Sequence, residues 1–326
     1  MEHRPVGRTG LRVSRLGLGT MTWGRDTEED DAAAQLKDFV DAGGTLVDTA
    51  DVYGDGASET VLGRLLGSVV PRSAVLVATK AVGRTGSGPM GRGASRGHLL
   101  AALDASLRRL GVDAIDLWQL HTWDDGVPLE ETLAALDTAV ASGRVRYVGV
   151  SNYTGWQLGA AVAWQRAWPG RAPVVSTQVE YSLLQRGVER EVLPAARHLG
   201  VGVVAWSPLG RGVLTGKYRT GTPADSRAAS PQWERFITPY LDERARGIVG
   251  AVLTAAEGLG VSPLDVALAW VRDAPGVSSV LVGARSAAQL RGSLAAEEVE
   301  LPEEIREALD NVSEPAWGYP ERWPTA

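Results

Sequence analysis

The chain has 326 residues, 44% apolar and 22% charged, with 33 basic against 39 acidic side chains and no cysteine. Disulfides, thiolate metal sites and a cysteine nucleophile are excluded, and a net charge of −6 without a basic run argues against nucleic acid or an anionic membrane as partner. The four histidines lack metal-ligand spacing, so no metal is expected, and the absence of an apolar leader or of about 18 consecutive apolar residues makes a cytoplasmic location the expectation.

Residues 4–20 read as a small hairpin followed by a strand over 16–20. A regular alternation follows. The pattern predicts a helix over 30–42, a strand over 45–49, a helix over 58–66 and a strand over 75–79. A helix capped by Ser95 runs to Leu110 and stops at Gly111. Next come a strand over 114–120, a helix over 129–141, a strand over 145–150 and a helix over 156–168 that ends at Pro169. Strands over 174–179 and 201–206 flank a helix over 189–198. Helices over 241–258 and 263–273, a strand over 277–283, and helices over 287–295 and 303–312 complete the chain.

The strands are short, apolar on both faces and separated by helices, which indicates a parallel sheet covered by helices. Eight such units in one domain spanning 1–326 favour a closed (β/α)8 TIM barrel with an N-terminal β-hairpin. An open, doubly wound sheet is the alternative. Two long loops, 81–94 and 207–240, follow strands and therefore belong to the C-terminal face. In barrel enzymes that face carries the active site. The first loop holds a literal GxGxxG (residues 86–91), but no helix follows it directly, so it reads as a lid rather than a dinucleotide-binding turn.

Polar residues recur at the predicted strand ends. Asp48 ends the second strand, with Tyr53 shortly after it; Lys80 ends the third and His121 the fourth. Ser151 and Asn152 follow the fifth, Gln178 ends the sixth, Trp206 and Ser207 end the seventh, and Arg285 follows the eighth. Singly, each has an ordinary explanation as a cap, a satisfied polar group or core. Lys80 is harder to dismiss. The chain has only three lysines (Lys37, Lys80 and Lys217), and this one extends the apolar run VLVATKAV. A buried ammonium needs an anion, and Asp48 is the nearest candidate. An ammonium beside the Tyr53 phenol is expected to lower its pKa by roughly 1–3 units. With His121 to orient a carbonyl oxygen, the group reads as a general acid for an oxygen that gains negative charge.

The segments GLGTMTWG (17–24), VDTADVYG (47–54), ATK (78–80), DLWQLHTWD (116–124), GRVRYVGVSN (143–152), TQVEYS (177–182), AWSPLGRGVLTGKY (205–218) and VGARSAAQL (282–290) together resemble the aldo-keto reductase family. The resemblance implies a (β/α)8 barrel that reduces an aldehyde or ketone with NADPH, or with NADH. Tyr53 would be the proton donor, assisted by Asp48, Lys80 and His121. Ser151, Asn152 and Gln178 would hold the nicotinamide carboxamide, and Trp206 would stack on its ring. Ser207, Leu209, Arg211 and Lys217 would cradle the pyrophosphate. Gly283, Arg285 and Gln289 would meet the 2′-phosphate and adenine end. Gly292 and Ser293 stand where the family often has an acidic residue and an asparagine, which weakens the adenosine clamp. Apart from the resemblance, eleven tryptophans are many for this length; Trp23 and Trp123 lie in loops after predicted strands and are expected to wall the substrate site, with the C-terminal tail reaching over it. The resemblance extends to potassium-channel β subunits, so a dinucleotide-binding regulatory subunit is one alternative and a keto-sugar reductase another. The partner expected is a small carbonyl compound; oligomeric state stays open.

Overall fold

The computed structural model describes residues 1–219, 221 and 236–319. Strands β1 (His3–Pro5) and β2 (Arg12–Ser14) pair antiparallel as a hairpin. The eight strands that follow are β3 (Leu16–Gly19), β4 (Leu46–Asp48), β5 (Leu76–Ala81), β6 (Ile115–Leu120), β7 (Val145–Ser151), β8 (Val174–Glu180), β9 (Gly202–Trp206) and β10 (Val277–Gly283). Each pairs in parallel with the next, and β10 returns to β3, closing the sheet. The (β/α)8 barrel expected from the sequence is therefore the fold, and the open sheet is excluded.

Ten α-helices lie among the described residues: α1 (Glu29–Asp41), α2 (Ala57–Leu65), α3 (Arg96–Leu110), α4 (Leu129–Ala141), α5 (Gly155–Arg166), α6 (Val192–Leu199), α7 (Glu243–Leu259), α8 (Pro263–Arg272), α9 (Ala287–Ala295) and α10 (Glu303–Val312). Their ends sit within a few residues of expectation because local hydrogen bonds decide them. Ser95 caps α3 through the His98 amide, and Thr154 with Gln157 forms a capping box that starts α5 at Gly155. Asp242 caps α7 through the Ala245 amide, so that helix begins two residues later than the apolar pattern suggests. No single described helix is long and apolar enough to cross a membrane; α7 and α8 reach that length only as a pair bent by 102°.

Two apolar layers hold the barrel. The larger lies between sheet and helices and includes Leu36, Leu62, Leu103, Leu136, Leu158 and Ile248. The smaller fills the barrel's interior with Leu46, Ala78, Leu117, Val175, Val204 and Leu281. The hairpin adds Val6, Leu11 and Val13 to this inner cluster and so plugs the N-terminal end. Burying each Leu or Val side chain contributes roughly 1.5–3 kcal/mol. The plug sits close: a Cβ at Gly7, whose φ is +57°, would lie 2.3 Å from the Gly200 carbonyl oxygen.

The same strands carry the polar groups. Side chains two apart on a strand share a face. Leu46 precedes Asp48, Ala78 precedes Lys80 and Leu117 precedes Gln119 on the inward face, so the interior changes from apolar to polar toward the C-terminal end. The long segment after β9 begins with a 3-10 turn, Gly210–Thr215, and returns through Phe236 to a second turn at Thr238–Tyr240. Trp233, Trp323 and the end of the expected C-terminal cover lie outside the described residues.

Candidate active site

The barrel brings Asp48, Tyr53, Lys80 and His121 together. Lys80 is fully buried and Asp48 2% exposed. Lys80 Nζ donates to Asp48 Oδ2 at 2.5 Å, to the Thr49 carbonyl at 2.8 Å and to the Tyr53 hydroxyl oxygen at 3.4 Å. An ammonium has three hydrogens and no lone pair, so these three acceptors exhaust it. Tyr53 is thus an acceptor toward Lys80, which leaves its own proton for an acceptor in the cleft. The Tyr53 and His121 rings meet edge to face, 6.0 Å between centroids.

Burial and charge compete across this group. Burial tends to discharge Lys80, but the Asp48 carboxylate wins and holds the ammonium above its ordinary pKa. Burial pushes the His121 imidazole down to about 3, with the Lys80 charge adding to the effect, so the ring is neutral at physiological pH. For Tyr53 the expectation from the sequence is corrected. Lys80 does pull the phenol down, but burial, helped by the Asp48 carboxylate, outweighs it and raises the phenol above its ordinary value. A phenol that keeps its proton at rest suits a donor, which must be loaded before the acceptor develops charge.

One more polar residue of the inner face stands one step back from the strand ends. Gln119 is fully buried, stands beside Lys80 in the strand register, and donates to Asp48 Oδ1 at 3.3 Å. Gln178 donates to the same oxygen at 2.9 Å. The carboxylate therefore receives two amides on one oxygen and the ammonium on the other. Room for Gln119 comes from Gly149, where a Cβ would sit 2.1 Å from Ser176 Oγ and 3.3 Å from Gln119 Cγ. Alternation along β6 carries the signal: Gln119 is two residues before His121.

A cleft of about 640 Å3 opens above these residues. Asp48, Tyr53 and His121 line one part of it with Ser151, Asn152, Gln178 and Trp206. Ser207, Leu209, Arg211 and Lys217 from the long loop line it further out, followed by Gly283, Arg285 and Gln289. Ser151 is 1% exposed, and its hydroxyl has no hydrogen-bond partner. The Trp206 indole donates to Asn152 Oδ1 at 3.1 Å, and the Asn152 amide donates to the His121 carbonyl at 2.9 Å. These two bonds fix the plane of the indole against the cleft. Gln289 accepts from the Arg285 backbone amide at 3.0 Å, which shapes the start of α9. Gly292 and Ser293 also line the cleft, and nothing lies within 4 Å of a Cβ built on Gly292.

Two expectations change, those for Trp23 and Trp123. Trp23 does not wall the cleft: it has no exposed surface, and its indole donates to the equally buried Gln35 at 3.0 Å, so it is core. Trp123 is absent from the cleft lining; its ring packs edge-on against Tyr153 and Trp156, with centroids 5.2 and 5.3 Å away. Arg211 lines the cleft, but its guanidinium is committed to Glu180 at 2.8 and 3.1 Å and to the Phe236 carbonyl, with the Phe236 ring 3.2 Å from its centre. That charge clasps the returning loop to β8. The glycine-rich loop closes on itself, Gly86 donating to the Gly91 carbonyl at 3.2 Å, and none of residues 81–94 lines the cleft.

Comparison with known proteins agrees with this architecture. The model of the aldo/keto reductase family matches residues 15–314. The chain is 39% identical to an uncharacterized oxidoreductase of Bacillus subtilis, YrpG, over 96% of each chain. It is 36% identical to a probable voltage-gated potassium channel subunit beta of Oryza sativa, covering 99% of this chain and 98% of the other. It is also 36% identical to the L-glyceraldehyde 3-phosphate reductase of Escherichia coli, covering 91% of this chain and 87% of the other. With a closed barrel and a family match over nearly its whole length, this chain belongs to the aldo/keto reductase family of oxidoreductases.

Proposed function

We propose that the protein reduces a small aldehyde or ketone to the alcohol, with Tyr53 as the general acid and NADPH as the preferred reductant. The observation that carries this reading is the geometry at Lys80, whose three hydrogens all point at Asp48, Thr49 and the Tyr53 oxygen. It leaves one proton, that of Tyr53, free for the cleft.

The residues present fit a nicotinamide dinucleotide. Ser151 offers a buried, unpartnered hydroxyl beside the Asn152 amide and Gln178, a set suited to a carboxamide. Trp206 offers a π-face fixed by its bond to Asn152. Lys217 and Arg285 offer positive charge further along the cleft, and Arg285 suits a 2′-phosphate, which favours NADPH. When bound, the dinucleotide supplies the hydride.

The chain's own groups supply the rest. The neutral His121 ring donates to and orients the carbonyl oxygen without competing for the proton. As hydride arrives at carbon, the C=O π pair moves onto oxygen, and Tyr53 gives that oxygen its proton. A C–H and an O–H bond form, and a phenolate is left. Lys80 lies 3.4 Å from the Tyr53 oxygen and stabilises that phenolate, while Asp48 keeps Lys80 charged. Small polar aldehydes, glyceraldehyde 3-phosphate among them, are the first substrates to try because a relative of known name acts on that compound.

The test is a fluorescence titration with NADPH and NADH, followed by steady-state turnover on a panel of aldehydes and ketones. Tighter binding of NADPH and turnover on at least one carbonyl support the reading. Tight binding without turnover on any of them points instead to a regulatory subunit like the channel relatives.

A further inference from the structure

The loop between β4 and α2 carries a second buried carboxyl that the reaction above does not use. Asp51 lies two residues before Tyr53 and is 1% exposed. Neither of its oxygens has a hydrogen-bond partner among the described residues, although the nearby Val52 amide favours the charged form. Its backbone amide donates to the Lys80 carbonyl at 3.2 Å, so the loop is tied to the strand that carries the ammonium.

The titratable groups that act on Asp51 come from several elements. Lys80 lies on β5, Glu59 on α2 and Arg109 on α3, and Tyr53 shares its loop. Glu59 is already satisfied: it takes Arg109 at 2.6 Å and the Thr79 hydroxyl at 2.5 Å. Arg109 is thereby spent on Glu59, and Lys80 on Asp48. The two cations that act on Asp51 are thus each paired with another carboxylate. A buried polar group without a partner in a native fold calls for an explanation, and a functional role is one. Burial, followed by repulsion from Glu59, pushes the Asp51 carboxyl up to about 7.

We propose that Asp51 is a positioning residue that acts through its charge: neutral, it lets Tyr53 release its proton; ionised, it makes Tyr53 hold that proton more tightly. The proposal rests on Tyr53 being the acid. Its physical basis is Coulombic: an ionised carboxylate two residues away in the same loop opposes formation of the phenolate, although it is the smallest of the effects acting on Tyr53. Reduction then runs faster below neutrality, where Asp51 is protonated, and slows above it.

The test is Asp51→Asn, which keeps the shape and removes the titration, with Asp51→Ser as a second variant should the amide pack badly. The first readout is kcat for reduction from pH 5 to 9. The parent should fall about three- to tenfold through neutrality, and the variant should hold the parent's acid-side rate across the range. The second readout needs no turnover. An aspartate raised from its unfolded value binds a proton in the fold that the unfolded chain has lost, so its contribution to stability fades as pH rises from about 4 to about 7. The melting temperature of the variant minus that of the parent should therefore grow between pH 5 and 8. A flat difference, or an unchanged pH–rate profile in the variant, overturns the proposal. Failure of every carbonyl to turn over counts against the reductase reading, and the melting difference then judges Asp51 by itself.

Discussion

The ammonium of Lys80 stands 3.4 Å from the hydroxyl oxygen of Tyr53 and 2.5 Å from the carboxylate of Asp48, with both charged side chains almost wholly removed from water. Such a pair adds little net stability in itself, because desolvation cancels most of the Coulombic gain. Breaking it is another matter. Lys80→Met leaves Asp48 buried with only the amides of Gln119 and Gln178. The expected cost is about 3–5 kcal/mol in chemical denaturation. Lys80→Arg should fail to restore turnover, because a planar fork cannot direct three hydrogens at Asp48, Thr49 and Tyr53.

His121 gives a prediction of pH dependence. Its folded value of about 3 lies well below the ordinary 6.5. Between those values the unfolded chain binds a proton that the fold refuses. Stability should therefore rise with pH across this window and be fully present above it. In NMR the His121 ring resonances should show no titration from pH 8 down to about 4. An imidazolium shift near pH 6 would contradict the burial assigned to this ring. Asp51 contributes with the opposite sign over part of the same range, so the stability slope of His121 is best read in the Asp51→Asn background.

Gln119 tests how finely Asp48 is held. Its amide is one of two on the same carboxylate oxygen and the longer, at 3.3 Å against 2.9 Å for Gln178. A single hydrogen bond to a charged group contributes roughly 1.5–3 kcal/mol. Gln119→Leu should lower kcat by about tenfold or somewhat more and lower the melting temperature, with little effect on dinucleotide affinity. Gln178→Leu should cost more on both counts, because that residue also lines the cleft.

The fold was legible because parallel strands buried on both faces are nearly continuous apolar runs, as in VLVAT before Lys80 and VGVVAW at β9. Asp48, Tyr53, Lys80 and His121 were legible because such runs end abruptly in polar residues. Gln119 was missed because it lies two residues before the strand-end His121, whereas the inward face admits every second residue. The abundance of tryptophan misled. Trp23 reads as a loop residue in sequence but is core through its bond to Gln35, and Trp156 and Trp168 on or just after α5 are 61% and 67% exposed, so count and loop position say little about a ligand wall. The resemblance gave Arg211 a place in the cleft but not its partner: Glu180 sits at the end of another strand, and only the closed barrel brings the two together. The phenol's direction of shift was likewise beyond a pairwise reading, since burial depends on everything packed around Tyr53.

The most direct measurement of the central claim is Tyr53→Phe, assayed for carbonyl reduction and for dinucleotide binding on the same preparation. The substitution removes one oxygen from beside Lys80 and leaves the Ser151, Gln178 and Trp206 wall of the cleft intact. The account predicts that kcat falls by about 10²–10⁴-fold while fluorescence titration returns an unchanged dissociation constant. Turnover within a fewfold of the parent would contradict it.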